Sequence, residues 1–168
     1  MMMLMYALIT GLLIAIDQIT KHLLYGKSFS VIGNFLWVES TGLNTGAAGG
    51  MLAGCKWLFI VLAALGIVAC IYFIISKRYS NSFYFKLSVC IILSGIVGNL
   101  IDRILLGGVR DFIYFKSINF YVFNIADVCL TIGAIMVCVY ILFMHDSAPL
   151  KREKVKKTKE FGCDERAE

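Results

Sequence analysis

An uncharged apolar run from Trp57 to Ser76 constrains this chain more than any other feature. About 20 such residues in a helix cross the hydrocarbon of a bilayer, because each residue rises about 1.5 Å. The whole chain is 60% hydrophobic and only 16% charged, which is unlike a soluble globular protein. A bilayer core accepts only helices or closed barrels, and this run is too long and too apolar for a barrel strand. The sequence therefore predicts a helical membrane protein.

Three further apolar stretches have the length of membrane spans. They run from Leu4 to Leu24, from Phe83 or Leu87 to Leu106, and from Tyr121 to Met144. A cleaved signal peptide is a weaker interpretation of the first stretch, because no basic residue precedes it and no small-x-small site follows it. The predicted fold class is all-α, with four transmembrane helices. We expect residues 1–146 to form one membrane domain and residues 147–168 to form a charged tail.

Basic residues set the expected orientation in the membrane. Lys77, Arg78 and Lys86 flank the link between the second and third spans, and seven more basic residues lie from Lys151 to Arg166. Such clusters stay on the cytoplasmic side. Both termini are therefore expected in the cytoplasm, and the loops at 25–56 and 107–120 outside. Because much of the positive charge lies in the tail, the net charge of +5 favours contact with anionic membrane lipid over nucleic acid.

Polar side chains interrupt three of the predicted spans, each time at the outward end. They are Asp17 and Lys21 in the first span, Asn99 and Arg103 in the third, and Asn124 and Asp127 in the fourth. A charged side chain at the bilayer centre costs at least about 2.5 kcal/mol, so intramembrane charges usually mark function. Structural ion pairs scattered through a helical bundle would not share one depth. We therefore predict a single shared site in the outer leaflet.

Two aspartates of this region could form a catalytic pair. Asp127 is expected six residues inside the fourth span, and Asp111 follows a Gly-Gly pair that can turn the chain back to the membrane. Two carboxylates held close share a proton, so one acts as acid and the other as base, as in aspartic proteases. The alternatives are a pairing of Asp111 with Arg110 or Lys116, and an ordinary buried ion pair for Asp127.

Three asparagines and an arginine offer groups that could hold a substrate. Asn124 lies one helical turn before Asp127, so its amide can orient that carboxylate or contact a peptide. Asn99 and Arg103 share a helix face, and the guanidinium suits a carboxylate or the carbonyls of a substrate. Asn44, in a stretch rich in glycine and alanine, offers a donor and an acceptor to an extended peptide.

The remaining charged residues of the spans are predicted to be structural. Asp17 and Lys21 are four residues apart and should pair on one helix face, with the lysine stem reaching outward. Asp102 does not share the face of Asn99 and Arg103. We therefore expect it to be a local partner of a basic residue rather than a catalyst.

The sequence does not indicate cofactor chemistry. It has no His-Glu-x-x-His motif, and His22 and His145 are expected on opposite sides of the membrane. The six cysteines lack the spacing of metal ligands. Ser94 has no base at its level that could activate it as a nucleophile. We expect neither a metal nor a cofactor.

Other classes of protein remain open at this point. A small transporter or proton-relay subunit also carries intramembrane charges, but it would place them on both sides of the midplane. A helix-packing scaffold without activity is a second alternative, and a cleavage assay would distinguish it. A presenilin-like aspartic protease is a third, although neither aspartate follows a Gly-x-Gly sequence.

Five short motifs resemble those of a known family, the bacterial lipoprotein signal peptidases, also called signal peptidase II. They occur in the family's order and cover most of the chain from about residue 10 to 140. The motifs are Asp17-Gln-x-x-Lys21, Asn44-Thr-Gly-Ala-Ala, Gly98-Asn-Leu-Ile-Asp-Arg103, Val-x-Asp111-Phe-Ile and Phe123-Asn-Ile-Ala-Asp127.

The resemblance implies an aspartic endopeptidase of the bacterial cytoplasmic (inner) membrane. Its substrate would be a prolipoprotein, cut just before a cysteine that carries diacylglycerol, with no obligate protein partner. Asp111 and Asp127 match the catalytic pair of the family. The other matches are Asn44, Asn99, Arg103 and Asn124, which line the site, and Asp17 and Lys21, which support it. The family fold also implies a small extracytoplasmic β element and a membrane-surface helix.

Three positions depart from the family pattern. Gly49 stands where an aromatic residue is usual, and the segment from Glu39 to Leu43 resembles an insertion. Arg110 replaces an apolar residue just before Asp111. Because a cation beside a carboxylate stabilises its charged form, Arg110 predicts an ionised Asp111 and a protonated Asp127.

Overall fold

A computed structural model describes residues 2–40, 42–47, 50–76 and 82–144. Four long helices are joined by short strands in two connecting segments. In chain order the elements are α1 (Met2–Leu24), β1 (Ser28–Ile32), β2 (Leu36–Glu39), β3 (Leu43–Asn44), α2 (Lys56–Ile75), α3 (Phe83–Leu106), β4 (Val109–Arg110), β5 (Ile113–Phe115), a 3₁₀ turn (Lys116–Ile118) and α4 (Ile125–Val139), which continues as a π-helical turn (Tyr140–Met144).

The prediction of four membrane-spanning helices is confirmed by length and composition. α1, α2, α3 and the helix from Ile125 to Phe143 are each long and apolar enough to cross a bilayer. The predicted start of the fourth span was wrong. Its helix begins at Ile125 rather than Tyr121, because the Asn124 side chain accepts a hydrogen bond from the Asp127 backbone and caps the helix.

α3 is the central helix of the bundle and contacts α1, α2 and α4. Glycines allow the closest approach between α3 and α4. A Cβ atom added to Gly95 would lie 2.5 Å from the Ala126 carbonyl oxygen, and one added to Gly133 would lie 2.5 Å from Ile92 Cγ1. Such small-residue contacts let the backbones of two membrane helices pack directly. They fix α4, and with it the start of that helix, against α3.

Two small antiparallel sheets connect the ends of the helices. β2 pairs with both β1 and β5, so it joins the segment after α1 to the segment after α3. β3 pairs with β4, with Leu43 opposite Arg110 and Asn44 opposite Val109. A small β element is therefore present, and its extracytoplasmic position stays a prediction. The expected membrane-surface helix is not seen in the described part of these segments, whose longest helical turn outside the spans is Lys116–Ile118.

The predicted orientation depends largely on residues that the structure does not describe. Lys77, Arg78, Gly49 and the tail at 147–168 all lie outside the described residues. Lys86, the remaining basic residue used for the prediction, is buried in the first turn of α3. The placement of the termini in the cytoplasm stays a prediction.

Replacing Gly95 with alanine should separate α3 from α4. The new methyl group would meet the Ala126 carbonyl and Leu130, so we expect the free energy of unfolding to fall by about 1–3 kcal/mol despite the better helix propensity of alanine. Thermal unfolding in detergent measures the change. Gly11→Ala in α1 is the matched control, because a Cβ there meets no atom within 4 Å. An equally stable Gly95→Ala protein would contradict this packing.

Candidate active site

Asp111 lies just after β4, with its side chain only 7% exposed. Both carboxylate oxygens accept hydrogen bonds from amide groups. Asn124 Nδ2 donates to Oδ1 at 2.6 Å, and Asn44 Nδ2 donates to Oδ2 at 3.0 Å. Asn44 is brought here by the pairing of β3 with β4. The short sheet thus delivers both Asp111 and one of its two hydrogen-bond donors.

Asp127 is in the first turn of α4, at the third position of the helix. Asp127 was predicted to lie six residues inside the span, but in the structure it lies near the helix end. Its Oδ2 accepts a hydrogen bond from the Asn124 backbone N–H at 3.1 Å, and its Oδ1 accepts one from Asn99 Nδ2 at 2.8 Å. This reciprocal capping box with Asn124 fixes the carboxylate on the helix end.

Asn124 connects the two aspartates. Its side-chain amide donates to Asp111, while its backbone amide and side-chain oxygen bond to Asp127. The same Nδ2 lies 3.2 Å from Asn99 Oδ1. Both aspartates line one cavity of about 730 Å³. The structure therefore brings together the two carboxylates that the sequence predicted as a pair.

The charge of Asp111 is disfavoured by its surroundings. Burial raises the pKa of Asp111 above the usual aspartate value; the Asn44 amide opposes this shift, and the negative charge of Asp127 adds to it. A carboxyl group that holds its proton more strongly, next to a second carboxyl group, suits acid–base catalysis.

The predicted effect of Arg110 on Asp111 was wrong. The Arg110 guanidinium points away from Asp111 and forms a bidentate ion pair with Asp102, at 2.6 Å and 3.3 Å. It also donates to Gln18 Oε1 at 3.0 Å, and the Arg110 backbone N–H donates to Asp102 Oδ2 at 3.0 Å. Although the two residues are adjacent, Arg110 ends β4 and bonds to Asp102, whereas Asp111 follows the strand and bonds to Asn44 and Asn124. The alternative pairing of Asp111 with Arg110 is also excluded.

Lys21 is fully buried, with no exposed surface. Its Nζ lies 2.8 Å from Asp17 Oδ2, 3.0 Å from Asn99 Oδ1 and 3.5 Å from Asp102 Oδ2. An ammonium group has three N–H donors, and these three oxygens can accept them all. The pairing with Asp17 agrees with the prediction, but the lysine stem does not reach outward, because its partners are inside the bundle.

Asp17 attaches α1 to the start of α4. Its Oδ1 accepts a hydrogen bond from the Ala126 backbone N–H at 2.8 Å, which places a carboxylate at the positive end of the helix. Gly98 makes room for this contact, since a Cβ at that position would lie 2.7 Å from Asp17 Oδ2. Asp17, Lys21, Asn99 and Asp127 therefore form one continuous line of contacts from α1 to the site.

Arg103 faces the cavity from α3 and keeps a free donor. Its Nη2 donates to the Gly46 carbonyl at 3.2 Å, and its guanidinium stacks over the Phe59 ring at 4.8 Å. Its buried Nε has no hydrogen-bond partner among the residues that the structure describes. Because the Arg103 side chain lines the cavity and its described hydrogen bond uses one of five N–H donors, another N–H group of the guanidinium can bind a carbonyl oxygen of a ligand.

The cavity extends from the two aspartates into the space between α2, α3 and α4. Away from the carboxylates its walls are mainly apolar, with Phe59, Leu62 and Ala63 from α2 and Ile96 and Leu130 from the two facing helices. Within the described ranges no group of three His, Cys, Asp or Glu side chains is arranged to hold a metal ion. The site thus combines a carboxylate pair with an apolar chamber.

Comparison with known proteins agrees with this description. The family model for Signal peptidase (SPase) II matches residues 9–143. A lipoprotein signal peptidase of Clostridioides difficile (strain 630) is 36% identical over 149 residues, which are 86% of this chain and 99% of that protein. One from Staphylococcus aureus (strain JH9) is 37% identical over 163 residues, covering 90% of this chain and 98% of its own.

Two solved structures of bacterial membrane enzymes have a similar fold. One superposes with a TM-score of 0.75 at 35% identity, covering 82% of this chain and 87% of that one. The other has a TM-score of 0.73 at 34% identity, with coverages of 83% and 94%. Fold and site thus define an integral membrane aspartic peptidase. The chain belongs to the signal peptidase II family.

Gln18 was not predicted as a site residue, and Asp102 has more partners than predicted. Gln18 Nε2 donates to Asp17 and to the Gly98 carbonyl, and its Oε1 accepts from Arg110. Gln18 directly follows Asp17, so its place in a polar helix end was visible, although its partners were not. Asp102 was expected to be a local partner of a basic residue, and it does accept hydrogen bonds from Arg110 on β4; its second ion pair, with Lys21 on α1, was not predicted.

Replacing Lys21 with methionine should destabilise the protein strongly. Asp17 and Asp102 would lose a shared buried cation, and removing one member of a buried ion pair costs about 3–5 kcal/mol. Denaturant titration in detergent measures the free energy of unfolding. Lys27→Met is the matched control, because Lys27 is exposed and its replacement should change stability by no more than about 0.5 kcal/mol. Similar losses in both variants would contradict the role of Lys21.

Proposed function

We propose that this protein cleaves the signal peptide from prolipoproteins, just before the diacylglyceryl cysteine. The relatives that carry the name lipoprotein signal peptidase support this substrate class. Asp111 and Asp127 are the proposed catalytic residues. The observation that carries the proposal is that both carboxylates line one cavity and are joined through Asn124.

The proposed chemistry needs one water molecule and one shared proton. The ionised aspartate takes a proton from the water molecule while the water oxygen attacks the scissile carbonyl carbon. The protonated aspartate donates to the carbonyl oxygen as that oxygen gains charge. Collapse of the tetrahedral intermediate breaks the C–N bond, and the departing amine nitrogen takes up the proton first removed from water. The dyad then again holds one proton.

The charge of Arg110 does not determine which of the two aspartates carries the shared proton. That assignment needed the Arg110 charge beside Asp111, and the guanidinium bonds to Asp102 and Gln18 instead. We therefore treat Asp111 and Asp127 as a coupled pair whose apparent pKa values belong to both.

The asparagines act chiefly on the dyad in this proposal. The Asn44 amide already donates to Asp111 and to the Ala47 carbonyl, and the Asn124 amide donates to Asp111 and Asn99. Their role is to position the carboxylates. Arg103 is the better candidate for the substrate backbone, because its side chain lines the cavity and its described hydrogen bond uses one of its five N–H donors.

The apolar chamber is the proposed place of the lipid-bearing part of the substrate. Diacyl chains and the apolar signal peptide match walls formed by side chains such as Phe59, Leu62 and Leu130. Burial of such surface contributes about 25 cal/mol per Å². Entry from the bilayer between the helices keeps these groups out of water throughout.

The proposed location is the bacterial cytoplasmic membrane, with the dyad at the outer leaflet and the small sheets outside. The basic residues at 77–78 and in the tail support a cytoplasmic position for both termini. The tail at 147–168 is then a cytoplasmic segment near anionic lipid. The family assignment favours this enzyme over the transporter and scaffold alternatives.

Replacing either aspartate with asparagine should abolish cleavage. Asp111→Asn and Asp127→Asn each remove a group that must gain or lose a proton, so we expect kcat to fall by about 10⁴-fold or more. Cleavage of a purified diacylglyceryl prolipoprotein in lipid vesicles is the measurement, and thermal unfolding checks that both variants remain folded.

The same assay tests the substrate class. Wild-type protein is compared on substrate with and without the diacylglyceryl group. Equal rates on both would reject the lipoprotein assignment and keep the peptidase activity, whereas full activity of either asparagine variant would reject the dyad.

Removing the Asn44 amide should shift the pH profile. This amide favours the ionised form of Asp111 and so opposes the effect of burial on its pKa. In Asn44→Ala the pKa of Asp111 therefore rises further, and the acid limb of the kcat/KM profile moves to higher pH. Ser117→Ala is the control, since its hydroxyl bonds to the distant Asn34 carbonyl and the profile should not move. An acid limb that stays in place or moves to lower pH in Asn44→Ala would contradict this role.

A further inference from the structure

A second cavity of about 530 Å³ meets the first one at Asp111. The two cavities share a wall, which consists of Asn44, Asp111 and the segment 120–122. They differ in what surrounds them. The first is built largely from α2, α3 and α4, whereas no residue of the four helices lines the second. The second cavity lies between the strands and the chain that leads into α4.

Because Asp111 lies in the wall between the two cavities, each cavity is expected to hold a different part of a peptide substrate. The bond to be cut must lie against both aspartates, and Asp127 lines only the first cavity. The apolar signal peptide belongs among the helices on that side. The chain on the far side of the bond is polar and has to reach water. Passing Asp111 leads it into the second cavity, where its second and third residues lie about 7–10 Å from the bond.

The second cavity has a larger polar share in its lining than the first, and it carries negative charge. Tyr114, Asn119 and Thr45 line it, with the Tyr114 hydroxyl donating to Asn119 Oδ1 at 2.7 Å. Glu39 and Asp111 are the charged residues among its described lining, which includes no lysine or arginine. Glu39 is half-buried at the end of β2, and its carboxylate forms no hydrogen bond or ion pair with another described residue, although its backbone N–H donates to the Phe112 carbonyl at 2.9 Å.

We propose that this cavity binds the first residues after the cleaved bond, and that Glu39 selects substrates with lysine or arginine there. The proposal rests on the proposed peptidase function and adds to it a subsite with a stated preference. A half-buried carboxylate without a partner gains an ion pair from such a residue. It repels a substrate with an acidic residue at the same place. Glu39 thus acts on substrate choice, while the dyad acts on the bond.

The test is a charge swap between enzyme and substrate. Diacylglyceryl prolipoproteins are prepared with Lys, Gln or Glu at the second and third residues after the cysteine, and kcat/KM is measured in vesicles of neutral lipid. For wild type we expect Lys substrates to be cleaved about two to five times faster than Gln substrates, and Glu substrates more slowly than either. Glu39→Gln should remove the preference and Glu39→Lys should reverse it. Higher salt should weaken it.

Two matched controls accompany the swap. Lys27→Gln changes the charge next to the same sheet without lining the cavity, so the substrate order should stay as in wild type. Moving the Lys or Glu to a position far beyond the cysteine should abolish the difference between substrates. An unchanged Lys-to-Glu ratio in Glu39→Lys would overturn the subsite. Failure of wild type to cut any of the lipidated substrates would instead overturn the proposed function.

Crosslinking tests the location separately from the preference. A photoreactive residue is placed third after the cysteine, and the substrate is held uncut by Asp127→Asn. We expect crosslinks within 39–45 or 114–122, mapped by mass spectrometry of the fragments. Crosslinks confined to α2 would place the downstream chain in the first cavity and would overturn the proposal.

Discussion

The ammonium group of Lys21 is the contact on which the rest of the site depends. It lies between two carboxylates from different helices, Asp17 and Asp102, and also donates to Asn99. The bond from Lys21 orients the Asn99 side chain. Because Lys21 holds the Asn99 amide oxygen, the Asn99 amide N–H group is directed to Asp127. A buried charge thus sets the direction of a neutral amide, and that amide holds a proposed catalytic carboxylate.

Much of the fold could be predicted because lipid leaves few choices. An uncharged stretch such as Trp57–Ser76 must be a helix in lipid, and with three further long apolar stretches it makes a bundle. The same reasoning placed polar residues of three spans at one end, and they meet there. The start of α4 was not predictable from hydropathy, because Tyr121 to Phe123 are as apolar as a span. Only the capping by Asn124 decides that the helix begins at Ile125.

The directions in which the side chains of the site point could not be predicted from the sequence. Arg110 and Asp111 are adjacent, so proximity along the chain suggested a charge interaction between them. In the structure Arg110 ends a two-residue strand, and its guanidinium bonds to Asp102 and Gln18. The side-chain amides of Asn44 and Asn124 donate to Asp111 instead. Such partners come from segments far apart in the chain. Short strands follow tertiary contacts more than local preference, so neither their existence nor their register could be read from the sequence.

Asp127 has both a structural role and a proposed catalytic role. Its carboxylate closes the capping box of α4, and it is also a proposed proton carrier. A negative charge at the start of a helix stabilises the helix by about 0.3–1 kcal/mol, and a neutral carboxyl group does not. In the proposed mechanism, each gain or loss of a proton by Asp127 therefore also changes the stability of the first turn of α4. The proposed reaction cycle would thus be coupled to the stability of one helix end.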